Sequence, residues 1–160
     1  MRILKLIVVG VLVSSMVACA APRYSGGQIA DELITTKPEV VVIDDVATKE
    51  GFLKTIEAWL TENNYTYQVD PDGSTHDLQK LTIEYVGKWN WDMAVYLSEA
   101  KIEAFHQGQR VAEVEYKAPN SLNTNKFSNA EERVRYMLEV LFGKISADEA
   151  TQAIKISSGE

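Results

Sequence analysis

The arrangement of apolar residues predicts an α+β domain, a two-layer sandwich ordered β-α-β-β-β-β-α, with a mostly antiparallel sheet and its helices on one face. Three observations carry that prediction. An early β-branched run reads as a buried strand, two stripes at helical spacing read as amphipathic helices, and alternating segments in the middle of the chain read as half-buried strands.

The first strand is "EVVVIDD" (Glu39 to Asp45), β-branched and ended by two acids. From Thr48 the chain reads "TKEGFLKTIEAWLTENN", in which Phe52, Leu53, Ile56, Trp59 and Leu60 share one face of a helix. Thr48 is the expected N-terminal cap and Asn63–Asn64 the expected stop. "YTYQVD" follows as a second strand. A strand, a helix and a strand at this spacing imply a right-handed crossover between parallel neighbours.

"PDGSTHD" (Pro71 to Asp77) is turn chemistry. After it, "LTIEYVG" alternates, with Leu81, Ile83 and Tyr85 on one face and Thr82 and Glu84 on the other. "MAVYLSEAKIEAF" continues as a long strand and "RVAEVEYKA" returns beside it. A two-residue turn at Gln107–Gly108 would set Ile102 against Glu113 and mix the faces. A three-residue loop, His106 to Gly108, instead pairs Phe105 with Gln109, Ile102 with Ala112, Ala100 with Val114 and Lys101 with Glu113. Because a one-residue slip inverts every side chain, the second register is expected, with Gly108 in a left-handed bulge and Glu99 against Glu115.

The last long helix is announced by "FSNAEERVRYMLEVLFG". Ser128 and Glu131 have capping-box spacing, Val134, Met137, Leu138 and Leu141 form the stripe, and Gly143 ends it. "SADEATQAIK" carries a second such box, Ser146 with Glu149, and predicts a short closing helix.

The start of the chain has a different character. Arg2 and Lys5 precede the apolar run "LIVVGVLV", then "SSMVA", then Cys19, the only cysteine. A basic start, a short apolar middle and small residues before a cleavage point make a secretory signal. The run is short of the about 20 apolar residues that span a bilayer. "M-V-A-C" (Met16 to Cys19) resembles the bacterial lipobox, with Met16 in place of the usual leucine. The resemblance implies cleavage before Cys19, a diacylglyceryl thioether on its sulfur and an acylated new amino end. Ala20, where an aspartate would retain such a protein in the inner membrane, implies the outer membrane. The expected organisation is therefore a lipoprotein signal over 1–18, a lipidated tether over 19–38, a domain over 39–145 and a tail over 146–160 that carries the short helix.

Composition narrows the function classes. The whole chain has a net charge of −7, and losing Arg2 and Lys5 with the leader makes the mature part more acidic still. Such a surface repels phosphates, which argues against nucleic acid and against a polybasic grip on anionic headgroups. An acylated Cys19 leaves no thiol for disulfides, thiolate catalysis or metal binding. "DPDGSTHD" (Asp70 to Asp77) fails as a calcium loop, because aligning Gly73 to the loop glycine puts Gln68 at the first ligand and Gln79 at the twelfth position. The two histidines, His76 and His106, fall in predicted loops without metal-ligand spacing. There is no Gly-x-Ser-x-Gly elbow and no Gly-rich phosphate loop. No cofactor and no catalytic residue is expected, and the chain reads as a non-enzyme.

The residues that stand out are aromatic. Trp89 and Trp91 flank Asn90 in "GKWNWD" and share a strand face. They either cover the core beside Tyr85 and Tyr96, the favoured expectation, or form an exposed contact patch with those tyrosines and Asp92.

The stretch "WNWDMAVYLSEAKIEAF", with "GQRVAEVEYKAP" and "SLNTNKFSNAEERVRYMLEVLFG", resembles the Sbal-type family of small bacterial lipoproteins. The matching positions are Trp89, Trp91, Asp92, Tyr96, Gly108, Tyr116, Lys126, Phe127, Leu141 and Phe142. "GFLKTIEAWLTENNY" resembles that family's first helix, although Asn64–Tyr65 replace its usual closing glycine. The resemblance covers most of residues 39–143 and implies location and fold without an activity. The resulting expectation is an outer-membrane lipoprotein facing the periplasm, held by lipid on Cys19 and contacting an envelope protein. A small module binding an apolar or glycan ligand through its Trp/Tyr surface is the alternative.

Overall fold

A computed structural model describes residues 22–119 and 129–158. The strands are β1 (Tyr24–Gly27), β2 (Val40–Ile43), β3 (Tyr67–Asp70), β4 (Leu81–Asp92), β5 (Ala94–His106) and β6 (Gln109–Lys117). The helices are α1 (Asp31–Thr35), α2 (Gly51–Glu62), α3 (Ala130–Leu141) and α4 (Ala147–Ser157). The strands form one sheet in the order β1-β6-β5-β4-β2-β3, antiparallel from β1 to β4 and parallel from β4 to β3. This is an α+β fold with helices packed on a mixed sheet.

The core lies between helices and sheet. β2, β4, β5 and β6 contribute Val40, Val42, Leu81, Ile83, Leu97, Ile102 and Val114, and the helices contribute Phe52, Ile56, Leu60, Val134, Met137, Leu138 and Leu141. Trp59 joins the two long helices. It is buried, its Nε1 donates to Glu139 Oε1 at 2.7 Å, and its ring centroid lies 4.7 Å from that of Phe142. One indole thus supplies both apolar area and a satisfied polar handle. Asn63 occupies the C-terminal cap of α2 and Asn64 takes φ 58°, as the stop required.

Four expectations change. Residues 24–27, assigned to the tether, are a strand of the sheet: Tyr24 faces Tyr116 across it, with ring centroids 5.2 Å apart. The backbone N–H groups of Arg23 and Tyr24 both donate to Thr151 Oγ1 of α4 at 3.1 Å. Gly26 has φ 113°, and a Cβ there would lie 2.0 Å from the Glu113 carbonyl oxygen. Gly26, in the segment assigned to the tether, therefore lets β1 approach β6. At the other end α4, placed in the tail, buries Ala150 and Ile154 in the core and carries the expected Ser146–Glu149 box.

The β5–β6 hairpin also differs. Gln107 (φ 54°) and Gly108 (φ 75°) form a two-residue turn with positive φ at both central positions, and His106, expected in the loop, pairs with Gln109. A bulge between Ala104 and Phe105 then shifts the register. Beyond it Ala104 meets Ala112, Ile102 meets Val114 and Ala100 meets Tyr116. The extra residue restores the face matching that a regular two-residue turn would have broken. Lys101 consequently faces Glu115, and Glu99 faces Lys117 rather than Glu115.

One cap moves as well. Thr48 does not cap α2: its Oγ1 donates to Asp45 Oδ2 at 2.7 Å and accepts from the Gly87 N–H at 2.8 Å, tying the loop to β4. At α3 the Asn129 side chain accepts from the Glu131 N–H. Ser128 lies outside the described residues, as do Cys19, Lys126 and Phe127.

Candidate functional site

Strand alternation decides what each face of the sheet offers. The helix-facing side is apolar. On the opposite side β4, β5 and β6 present charges, and among the described residues no helix covers them.

The charges on that face are paired in rows. Glu103 and Glu113 are direct cross-strand partners, an unfavourable pair by itself. Arg110 Nη1 bridges them, 2.7 Å from Glu103 Oε1, and Lys101 Nζ lies 3.0 Å from Glu103 Oε2. Burial pushes the Glu103 carboxyl upward, but hydrogen bonds from Arg110 and Lys101 outweigh it and hold the group below the usual carboxylate range. Nearer the other end of the strands, Lys88 Nζ lies 3.1 Å from Glu99 Oε2, and its hydrogen bond and charge lower the Glu99 carboxyl. Beside this pair the face dips into a trough of about 520 Å³, lined among others by Arg23, Lys88, Glu99, Lys101, Glu115 and Lys117. It is a mixed-charge recess in which opposite signs alternate.

A second recess, of about 220 Å³, opens where β2 ends, between Asp44, Asp45, Asp72, Gly73, Glu84 and Tyr85. Its carboxylates have local work. Asp44 Oδ1 accepts from the Tyr85 hydroxyl at 2.8 Å, Asp45 accepts from the Ala47 N–H and the Thr48 hydroxyl, and Glu84 Oε1 lies 2.8 Å from His76 Nε2. Among the described residues no group of three or more His, Cys, Asp or Glu is placed to hold a metal ion.

The aromatic residues singled out in the sequence separate. Tyr85 is core: its ring stacks on Phe52 at 4.9 Å, and burial, then the hydrogen bond to Asp44, raises its pKa well above the ordinary value. Trp89 is half-buried against the core, with Lys49 Nζ 4.3 Å from its ring centroid. Trp91 is 74% exposed. The two indoles lie two residues apart on one strand, but the strand outruns the layer that covers Trp89. Asp92 and Tyr96 are half-buried near the end of the β4–β5 hairpin, where Asp92 pairs with Ala94 and Asn90 with Tyr96. Met93 closes that hairpin with φ 63° and is 87% exposed, and Val95, the cross-strand partner of Trp91, is 53% exposed. Neither Met93 nor Val95 was singled out in the sequence, because both read as members of a continuous strand. The available signal was length: β4 and β5 run to 12 and 13 residues beside strands of 4 and 9.

No protein-family model matches the chain, and no curated protein matches it. Among solved structures the chain is similar to a minor lipoprotein from Acinetobacter baumannii, with a TM-score of 0.31 and 13% sequence identity, over 77% of this chain and 92% of that one. A likeness of that size carries no argument about fold, site or activity. Among the described residues no helix is long and apolar enough to cross a membrane.

Proposed function

We propose that the chain is a lipid-anchored outer-membrane lipoprotein facing the periplasm, a non-catalytic accessory module whose helix-free sheet face contacts another envelope protein. The observation that carries the anchor is "M-V-A-C" at Met16 to Cys19, behind a basic start and a short apolar run. Several acyl chains at one cysteine hold a protein on a bilayer without a spanning helix, since each buried methylene contributes about 0.8 kcal/mol. The resemblance to Sbal-type lipoproteins supports the same reading.

The contact role is supported by the open face. Its rows of paired charge around the trough suit a polar protein surface, where electrostatic complementarity sets partner choice and register. A binding module for an apolar or glycan ligand would favour a concave site walled by aromatic rings. Neither Trp89 nor Trp91 lines the trough or the acidic recess.

Two measurements test this reading. Cells fed a clickable fatty acid are expected to label the wild-type chain and to leave a Cys19→Ala variant unlabelled; label on that variant refutes the anchor. Photocrosslinkers placed at Lys88 and Lys117 in intact cells are expected to trap one envelope protein from the open face. Trapping none at either position refutes the contact role while leaving the anchor standing.

A further inference from the structure

The first described residues of the chain and one cluster of exposed apolar residues, Trp91, Met93 and Val95, leave the sheet at the same end. The Lys117 N–H donates to the Arg23 carbonyl at 2.9 Å and the Ala118 N–H donates to the Ser98 carbonyl at 2.8 Å, which sets Arg23, Lys117 and Ser98 at one level across β1, β6 and β5. β1 and β5 both run antiparallel to β6. Followed backwards, β1 leads out through Pro22 in the same direction in which β5 leads back to Met93. The β4–β5 hairpin continues past this level with Trp91, Met93 and Val95 exposed at its end.

Two lengths then decide what the tip meets. Cys19 is three residues before Pro22, so its Cα is at most about 11 Å away even along a fully extended chain. From Ser98 to Met93 the hairpin projects about 16 Å at the strand rise. A cysteine held at a bilayer surface by its acyl chains therefore keeps that surface within the hairpin's reach. Tryptophan suits the headgroup level, where an apolar ring and a polar N–H are both satisfied. Asp92 is half-buried in the same turn and leaves the outermost position to Met93.

We propose that the tip formed by Trp91, Met93 and Val95 is a second membrane contact, seated in the headgroup–acyl boundary of the bilayer that holds the acylated Cys19. The proposal rests on the lipoprotein reading above. The acyl chains set affinity, and the tip sets orientation. Two separated contacts stop the domain from swinging on its tether and hold the charged sheet face along the membrane normal. The chain's acidity makes a zwitterionic surface sufficient, since no basic patch is called for.

The test uses the full mature, acylated chain. With Cys19 occupied by lipid, Met93→Cys supplies one free thiol for an environment-sensitive fluorophore, and Gln109→Cys supplies the control at the far end of β5–β6. In phosphatidylcholine vesicles containing acyl-brominated lipid, the probe at 93 is expected to be quenched several-fold more than the probe at 109, and to be shielded several-fold from aqueous iodide. Mass spectrometry and flotation on the same samples report acylation and binding. Acylated, vesicle-bound protein with equal iodide access at both positions overturns the tip contact and leaves the anchor intact. An unmodified Cys19 on a chain that does not float overturns the anchor, and the tip contact with it.

Discussion

Single residues on the open face carry opposite charges at short range, and their titration makes a specific demand. Glu103 has its folded pKa held below the ordinary 4.5, so its ion pairs contribute stability above that value and lose it as pH falls through the depressed folded pKa. Glu103→Gln is therefore expected to cost about 0.2–1 kcal/mol at neutral pH, the range for solvent-screened ion pairs. The difference from wild type should shrink towards zero below pH 4.5 as both side chains become neutral. Urea titrations at a series of pH values measure this directly, and a constant difference across the series would show that the pairing does nothing. Only the Lys101–Glu113 attraction was legible beforehand, and it survives as a 3.8 Å ion pair. Lys101 and Glu113 were expected to face each other, but Glu103 faces Glu113 and Arg110 reaches over both.

Among the elements, β1 depends most on a backbone detail. Gly26→Ala forces a Cβ onto the Glu113 carbonyl oxygen and a side chain into positive φ, a strain of about 1–3 kcal/mol if β1 stays paired. Loss of β1 would expose Tyr24, whose ring lies between Tyr116 and Tyr136. The expected result is a lower unfolding midpoint with faster amide exchange across β1 and β6. A silent Gly26→Ala would mean that residues 24–27 behave as tether after all. The helices were easier to read, because stripes such as Val134, Met137, Leu138 and Leu141 repeat at the helix period and are buried as expected. Strand β1 has no such stripe: its four residues "YSGG" bury only the tyrosine. Its assignment comes from partners more than 80 residues away in the chain.

At the scale of the whole molecule, the first and last described segments close on one another. Thr151 of α4 takes the two N–H groups that start β1, and Ile154 and Ala150 enter the same core. Ending the chain at residue 145, the boundary read from sequence, is expected to cost at least about 2 kcal/mol, the lower figure for emptying one buried isoleucine site. The truncated protein should also show increased exchange at Arg23 and Tyr24, followed by hydrogen exchange with mass spectrometry. An unchanged midpoint would show that α4 is an appendage.

By itself the sequence determined the order of the central elements, the helix stripes and the Ser146–Glu149 cap. Each is encoded within a few consecutive residues, as periodicity, punctuation or a local hydrogen bond. Only the tertiary structure decided that "YSGG" is a strand, that a bulge resets the β5–β6 register and that Trp89 is covered while Trp91 is bare. Those outcomes depend on which distant backbone approaches, how far one strand outruns its neighbours and where the covering layer stops. Distances of that kind arise between segments, and local patterning does not contain them.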